Sequence, residues 1–491
     1  MKHTIICKSI LVFLVFNFQS LAQSKYWILF KDKNPSTVNI NVTSLPICDD
    51  YLQLLEKQNI RPIQKSKWLN AISVYLTDAQ KTRVIALDFV KDVVLIDGKF
   101  YVASRPHQQP RLAPVMEQVE AGVFRENGLT GKGVKIGIID AGFYEAPNHQ
   151  QLKGVFAKLA ILSKRDYVNP KHITNFYTDS ESFADFHGSE VLAAIAGTDT
   201  DTQQGLATDS QFYLARTDHG GRESRVEEDN WVAAIEWLDS LGVKLVNTSL
   251  GYAKGFNNPS ENYEPRQMDG HTSLISKVAD IAVNQKGMLL VISAGNEGDD
   301  PTWRIISTPA DAEGVIAVGA TNHKLWNKIG YSSIGPEFIV YNKPNVACYS
   351  LYGTSLSAPV ITGFAACLMQ ANPLLTNKEI RNIIEKSAHL YPYCNNYIGF
   401  GVPQASRAIA LLKNTNTPLI HFKEIQAIGN IITVVIDSKI DIVSVFHKKN
   451  KNQVIGQDEM RVEKGKLVLK RQSNEVYTTI DLKNEVIEIV W

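Results

Sequence analysis

Five short, mostly continuous apolar runs at residues 134–139, 212–215, 244–246, 288–292 and 315–318 limit the middle of this chain more than any other feature. A strand with one wet face alternates apolar and polar residues, and these runs do not, so both faces of each strand are expected to be covered. Between the runs lie patterns at helical spacing: Val191, Leu192 and Ile195; Trp231, Ile235 and Leu238; Ile275, Val278 and Ile281. Strands alternating with helices predict an α/β, three-layer architecture around a mainly parallel sheet. In such sheets ligands gather beyond the C-terminal strand ends. Asp140, the trio Ser249-Leu250-Gly251 and Asn296 each follow a run, so they are the first candidates for a site.

With 491 residues the chain has room for roughly three domains. A net charge of +1 offers no bulk attraction to nucleic acid or to an anionic membrane, so charge selects no partner. At the N-terminus, Lys2 and Lys8 precede an apolar stretch at residues 10–18, and Ser20-Leu21-Ala22 follows with small residues. Residues 1–22 therefore read as a secretory signal rather than a membrane anchor, and the protein is expected to be secreted or extracellular, without an integral membrane segment once the signal is removed. Cys7 lies within that segment. Cys48, Cys348, Cys367 and Cys394 are scattered without a Cys-x-x-Cys pair, which argues against a metal site and against a thiol nucleophile. Buried free thiols are the default for them, and a Cys348–Cys394 disulfide stays open.

Residues 23–103 alternate strand-like and helix-like segments, as in a compact α+β domain: strands at 26–30, 71–76 and 90–96, helices at 51–58 and from Thr77-Asp78 to Leu87. Residues 104–117 form a linker, opening with the proline-bearing stretch 104–114. Residues 118–413 hold the parallel-sheet pattern, and Thr376 with Glu379 marks the start of a late helix. After a short linker, residues 419–491 turn β-rich, with runs at 431–436, 440–446, 467–469, 476–482 and 486–491, which predict a small antiparallel β-sandwich.

The segment Gly353-Thr354-Ser355 opens the small-residue helix pattern carried by Val360, Phe364 and Leu368. A serine there could merely cap the helix. The same position also supplies an orphan backbone N–H and the positive end of a helix dipole, half of what a developing oxyanion needs. Ser355 is a weak nucleophile by itself and requires a base that titrates near neutrality.

The nucleophile segment resembles that of the subtilisin-like serine proteases. The resemblance extends to the aspartate block Val134-Lys135-Ile136-Gly137-Ile138-Ile139-Asp140, the histidine block His187-Gly188-Ser189 and the oxyanion block Ser293-Ala294-Gly295-Asn296, in the family's order, over residues 105–412. It implies a catalytic triad of Asp140, His187 and Ser355, an oxyanion hole of Asn296 and the Ser355 N–H, and peptide-bond hydrolysis through an acyl-enzyme. It also implies that Ser249, Leu250 and Gly251 form one edge of the substrate cleft. Glu297 is a candidate for pocket specificity or a solvated rim charge. Ala141 departs from the family, which more often has Ser or Thr after the aspartate.

By the same resemblance, with the block at residues 66–70, residues 23–103 are an inhibitory propeptide, an intramolecular partner cut away near residues 103–115. Protein or peptide substrates are the other expected partners. Two alternatives are a catalytically silent binding protein on the same fold, and an esterase or peptide ligase using the same triad. No cofactor is required. Structural calcium is left open, with Asp199, Asp201, Asp299, Asp300 and Asp311 as candidate oxygen ligands and no site assigned. The position of the C-terminal region resembles the sorting domains of some proteases exported by type IX secretion. It lacks their usual start and tail, so a binding or stabilising role is equally open.

Overall fold

The computed structural model describes residues 24–33, 45–96, 113–170, 175–178, 183–198, 203–219, 224–254, 260, 262–414, 421–437 and 439–491. Residues 1–22, expected to be a signal, residues 104–112 of the expected linker, Asp199 and Asp201 lie outside these residues.

The N-terminal region is a four-stranded antiparallel sheet in the order β2-β3-β1-β4, formed by β1 (Ser24–Phe30), β2 (Gln64–Ser66), β3 (Ala71–Leu76) and β4 (Val90–Ile96). The helices α1 (Asp49–Glu56) and α2 (Asp78–Ile85) accompany it, and Thr77 with Gln80 closes a capping box on α2. Alternation along β1 sends Tyr26, Ile28 and Phe30 into this region's own core with Leu55, Val74 and Val84. Trp27 points the other way and is buried, with Trp68 and Ala71, in the core of the central region. Both faces of β1 are covered, which is why it reads as continuously apolar.

The central region begins with α3 (Ala113–Gln118) and α4 (Ala121–Glu126). Its seven strands are β5 (Lys135–Asp140), β6 (Ile161–Asp166), β7 (Gln211–Arg216), β8 (Leu245–Thr248), β9 (Leu289–Ser293), β10 (Ile316–Thr321) and β11 (Val346–Tyr349). All are parallel, in the order β11-β10-β9-β8-β5-β7-β6. The helices are α5 (Lys153–Ala157), α6 (His187–Ala196), α7 (Val226–Ser240), α8 (Leu274–Asn284), α9 (Ala358–Ala371), α10 (Asn377–Ser387) and α11 (Ala405–Leu412). The two sheet faces bury separate cores. On one, Ile136, Ile138 and Leu214 pack with Val191, Phe364 and Leu368 of α6 and α9. On the other, Ile139, Ala215 and Ile292 pack with Trp231, Leu238 and Val278 of α7 and α8. Residues 354–371, long and apolar enough to cross a membrane, form the nucleophile turn and the buried helix α9 at the centre of the first core.

The C-terminal region holds β12 (His421–Gln426), β13 (Ile431–Val435), β14 (Ile442–Lys448), β15 (Val454–Arg461), β16 (Lys466–Lys470), β17 (Tyr477–Asp481) and β18 (Glu485–Val490). They form a five-stranded sheet, β12-β18-β17-β14-β15, and a two-stranded ribbon, β13-β16. The expectation of purely antiparallel pairing fails at one place. β12 runs parallel to β18, because no hairpin joins the first and last strands of the region to impose the opposite sense. Phe446, Val454 and Val486 of this region share one apolar cluster with Ile334, Leu390 and Ile398 of the central region.

Candidate active site

Asp140 ends β5, and its carboxylate is wholly buried. His187 opens α6, and its Nδ1–H donates to Asp140 Oδ1 at 2.6 Å. The helix comes this close because Gly188 has no side chain; a Cβ there would sit 2.4 Å from the Gly142 carbonyl and 3.0 Å from Asp140 Cβ. The Gly188 N–H donates to that same carbonyl at 2.8 Å. Burial alone disfavours a charged imidazolium. The Asp140 carboxylate outweighs it, with Glu190 and Asp218 adding to the effect, and holds the His187 pKa above its ordinary value of 6.5.

Asp140 Oδ1 also accepts the Ala141 N–H at 2.8 Å, while Oδ2 has no hydrogen-bond partner among the described residues. Ala141, next in sequence, carries no hydroxyl that could be offered to it.

Ser355 lies on a single 3-10 turn, Thr354–Leu356, just ahead of α9, and Gly353 enters the turn at φ 116°, a conformation open to glycine. The serine is clasped by Ser249 in both directions. Ser355 Oγ donates to the Ser249 carbonyl at 3.2 Å, and Ser249 Oγ donates to the Ser355 carbonyl at 2.9 Å. Behind this clasp, Asn247 donates to Ser249 Oγ at 3.1 Å and accepts from Thr362 of α9 at 2.9 Å, joining β8 to the nucleophile turn. No hydrogen bond joins Ser355 Oγ to His187 among the described residues; in unliganded sites such bonds are often long and tighten with substrate.

Asn296 follows β9 and faces the same turn. Its side-chain Oδ1 accepts the Thr354 N–H at 2.8 Å and lies 3.2 Å from the Thr354 hydroxyl. With the oxygen engaged, the amide NH2 is left to donate elsewhere. Thr354 belongs to the nucleophile motif, yet its role as an anchor for Asn296 was not foreseen from sequence.

Leu250 is completely buried and part of the central core, so this member of the expected cleft edge offers backbone rather than side chain. Glu297 is half-buried rather than a free rim charge. Its Oε2 accepts the Asn296 N–H at 2.9 Å and the Ser333 hydroxyl at 3.2 Å, and burial raises its pKa. Among the calcium candidates, Asp300 pairs with Lys254, Asp299 is exposed, and Asp311 accepts from Gly270 N–H at 2.8 Å and Ser276 Oγ at 2.5 Å. Burial lifts the Asp311 pKa to about 6. No group of three or more metal-binding side chains converges among the described residues. The four cysteines among the described residues are free thiols, three of them buried.

Comparison with known proteins places this arrangement in a setting. Residues 131–401 match the model of the subtilase family, Peptidase S8, and residues 34–110 match the Peptidase S8 propeptide domain of Bacteroidota. Subtilisin DY of Bacillus licheniformis is 29% identical over 283 residues, covering 55% of this chain and 89% of that protein. The M-protease of Shouchella clausii is 25% identical over 398 residues, covering 79% and 92%. A solved structure of MycP1 with its N-terminal propeptide removed aligns with a TM-score of 0.44 at 22% identity, over 62% of this chain and 97% of that one.

Proposed function

Because the chain belongs to the subtilase family of serine endopeptidases and carries that family's propeptide domain, we propose that it is made as a secreted zymogen whose triad is Asp140, His187 and Ser355. The observation that carries this reading is the buried 2.6 Å bond between His187 Nδ1 and Asp140 Oδ1. It fixes the imidazole tautomer so that Nε2 is the nitrogen free to take a proton.

His187 removes the Ser355 proton as Oγ attacks the scissile carbonyl, and later returns it to the leaving amine. Asp140 stabilises the imidazolium between these steps. The tetrahedral oxyanion is received by the Asn296 amide and the Ser355 N–H, both set before the reaction begins. Water then resolves the acyl-enzyme by the same base. An extended substrate strand pairs with the backbone of Ser249, Leu250 and Gly251. A preference for basic residues through Glu297 is not adopted, since its carboxylate is engaged with Asn296 and Ser333.

Before maturation the propeptide is held on α7. Lys25 Nζ meets Asp229 Oδ2 at 2.7 Å in a fully buried pair, Ser73 Oγ donates to the same oxygen at 2.6 Å, and Glu236 accepts from the Ser66 hydroxyl and the Lys67 and Trp68 N–H groups. The test is expression of residues 23–491 as the native form and as Ser355→Ala, with intact mass and casein hydrolysis as readouts. The native form alone should lose the N-terminal region and degrade casein. Casein hydrolysis by the Ser355→Ala form would reject Ser355 as the nucleophile. A native form that stays inert after an added protease removes the propeptide would point to a binding protein.

A further inference from the structure

The oxyanion reading of Asn296, on which this inference rests, requires an amide fixed to a fraction of an ångström, because a donor that must reorganise during the reaction loses its advantage. Asn296 sits in irregular backbone after β9, with Gly295 at φ 111°, so regular secondary structure does not hold it. Thr354 holds the tip of its side chain, and its backbone needs a separate support.

That support is a carboxylate and a hydroxyl. Glu297 Oε2 takes the Asn296 N–H at 2.9 Å, and the Ser333 hydroxyl caps the same oxygen at 3.2 Å. Ser333 grips the loop twice more: its Oγ accepts the Glu297 N–H at 3.1 Å, and its own N–H donates to the Gly295 carbonyl at 3.1 Å.

Ser333 ends an irregular segment that is itself tied down. The Lys328 ammonium donates to the carbonyls of Ile329 at 3.0 Å, Gly330 at 2.7 Å and Ser332 at 3.0 Å, using its three N–H groups as a scaffold. The Lys328 backbone is in turn met on both sides by one side chain of β15. Its N–H donates to Gln457 Oε1 at 3.1 Å, and its carbonyl accepts from Gln457 Nε2 at 2.8 Å, as a neighbouring strand would do. One residue earlier, Asn327 Nδ2 donates to Glu459 Oε1 at 3.1 Å, also on β15.

We propose that Glu297 and Ser333 are positioning residues for the Asn296 oxyanion donor, and that the C-terminal sheet anchors them through Gln457 and Lys328. The C-terminal region is thereby a working part of the mature enzyme, and its role is to keep the oxyanion loop in place.

The test uses the mature full-length enzyme and a chromogenic peptide, with kcat and KM measured separately and thermal unfolding recorded for every variant. Glu297→Ala and Ser333→Ala should each lower kcat about tenfold with KM little changed, and Gln457→Ala about threefold. Glu297→Gln, which keeps an acceptor for the Asn296 N–H, should recover most of the loss. In an Asn296→Ala background all these effects should disappear, because the group they position is gone. Full persistence in that background, or a change confined to KM, overturns the proposal. If Asn296→Ala alone leaves kcat intact, the oxyanion reading itself fails and this inference falls with it. A loss in kcat for Asn296→Ala with none for Glu297→Ala, Ser333→Ala and Gln457→Ala overturns the positioning role alone.

Discussion

The regions on either side of the catalytic core are joined to it in different ways. The N-terminal region has a core of its own around Tyr26, Ile28 and Val74, and meets α7 through polar groups: the Lys25–Asp229 pair and the cap that Glu236 receives from residues 66–68. Trp27, Trp68 and Ala71 are the buried apolar residues it lends to the central core. Among the described residues, no backbone–backbone hydrogen bond crosses this boundary. The C-terminal region shares an apolar cluster with the core through Phe446, Val454 and Val486. Its backbone is joined to the core as well, with Asn396 N–H donating to the Asn452 carbonyl at 2.7 Å. Buried side chains cross too, His389 Nε2 meeting Asp481 Oδ2 at 3.0 Å. Both boundaries bury apolar side chains; they differ in that backbone hydrogen bonds cross the second, while the polar contacts of the first are made by side chains of α7.

The contrast is most exposed to a cavity at the second boundary. Phe446→Ala should destabilise the protein by about 4 kcal/mol, and calorimetry should show the catalytic core and C-terminal region still unfolding together. Independent melting of the C-terminal region, with the core unaffected, would make it an appendage and erase the distinction. At the first boundary, Lys25→Ala leaves Asp229 buried without its cation and should cost about 3 kcal/mol. In Ser355→Ala protein nicked at the linker, the propeptide should then dissociate on dilution at concentrations where the unsubstituted pair stays associated. Equal retention would show that the ion pair does not hold the propeptide.

The smallest effect concerns pH. His447 is buried in the C-terminal region, with Nδ1 2.6 Å from Glu475 and Nε2 3.1 Å from Asp458. Burial disfavours its charge, but Glu475 and Asp458 raise its pKa above 6.5. For Glu475, burial opposes ionisation, but its bonds to His447, Gln472 and Thr478 draw its pKa below 4.5. The stabilisation tied to charged His447 is therefore complete below pH 6.5 and fades as pH rises through the raised value; that tied to ionised Glu475 is complete above pH 4.5 and fades as pH falls through its lowered value. His447→Gln should lower the melting temperature most between these limits and least in alkali. A deficit that does not vary with pH would assign His447 a packing role only.

Legibility from sequence followed burial. The strands β5, β7, β8, β9 and β10, covered on both faces, were all readable as apolar runs. β6 was not, because it lies at the sheet edge and Ser163, Lys164 and Arg165 break the apolar pattern. β11, at the opposite edge of the sheet, was missed as well. β12 and β15 were missed for the same reason as β6: they are the edges of the C-terminal sheet and carry polar sequences. At the candidate site, Asp140, His187, Ser355 and Asn296 could be singled out because each stands in a motif beside a strand or helix end. The inward turn of Glu297 was not, since its partner Ser333 is 36 residues away and only the fold brings them together.

The central claim is that Ser355 is the nucleophile and that the buried His187–Asp140 pair activates it. The most direct measurement is labelling of the mature protein with a fluorophosphonate, followed by peptide mapping. A single adduct on Ser355, at least about a hundredfold slower to form in His187→Ala, is the predicted result. An adduct on another residue, or equal labelling when His187 is replaced, would contradict the account.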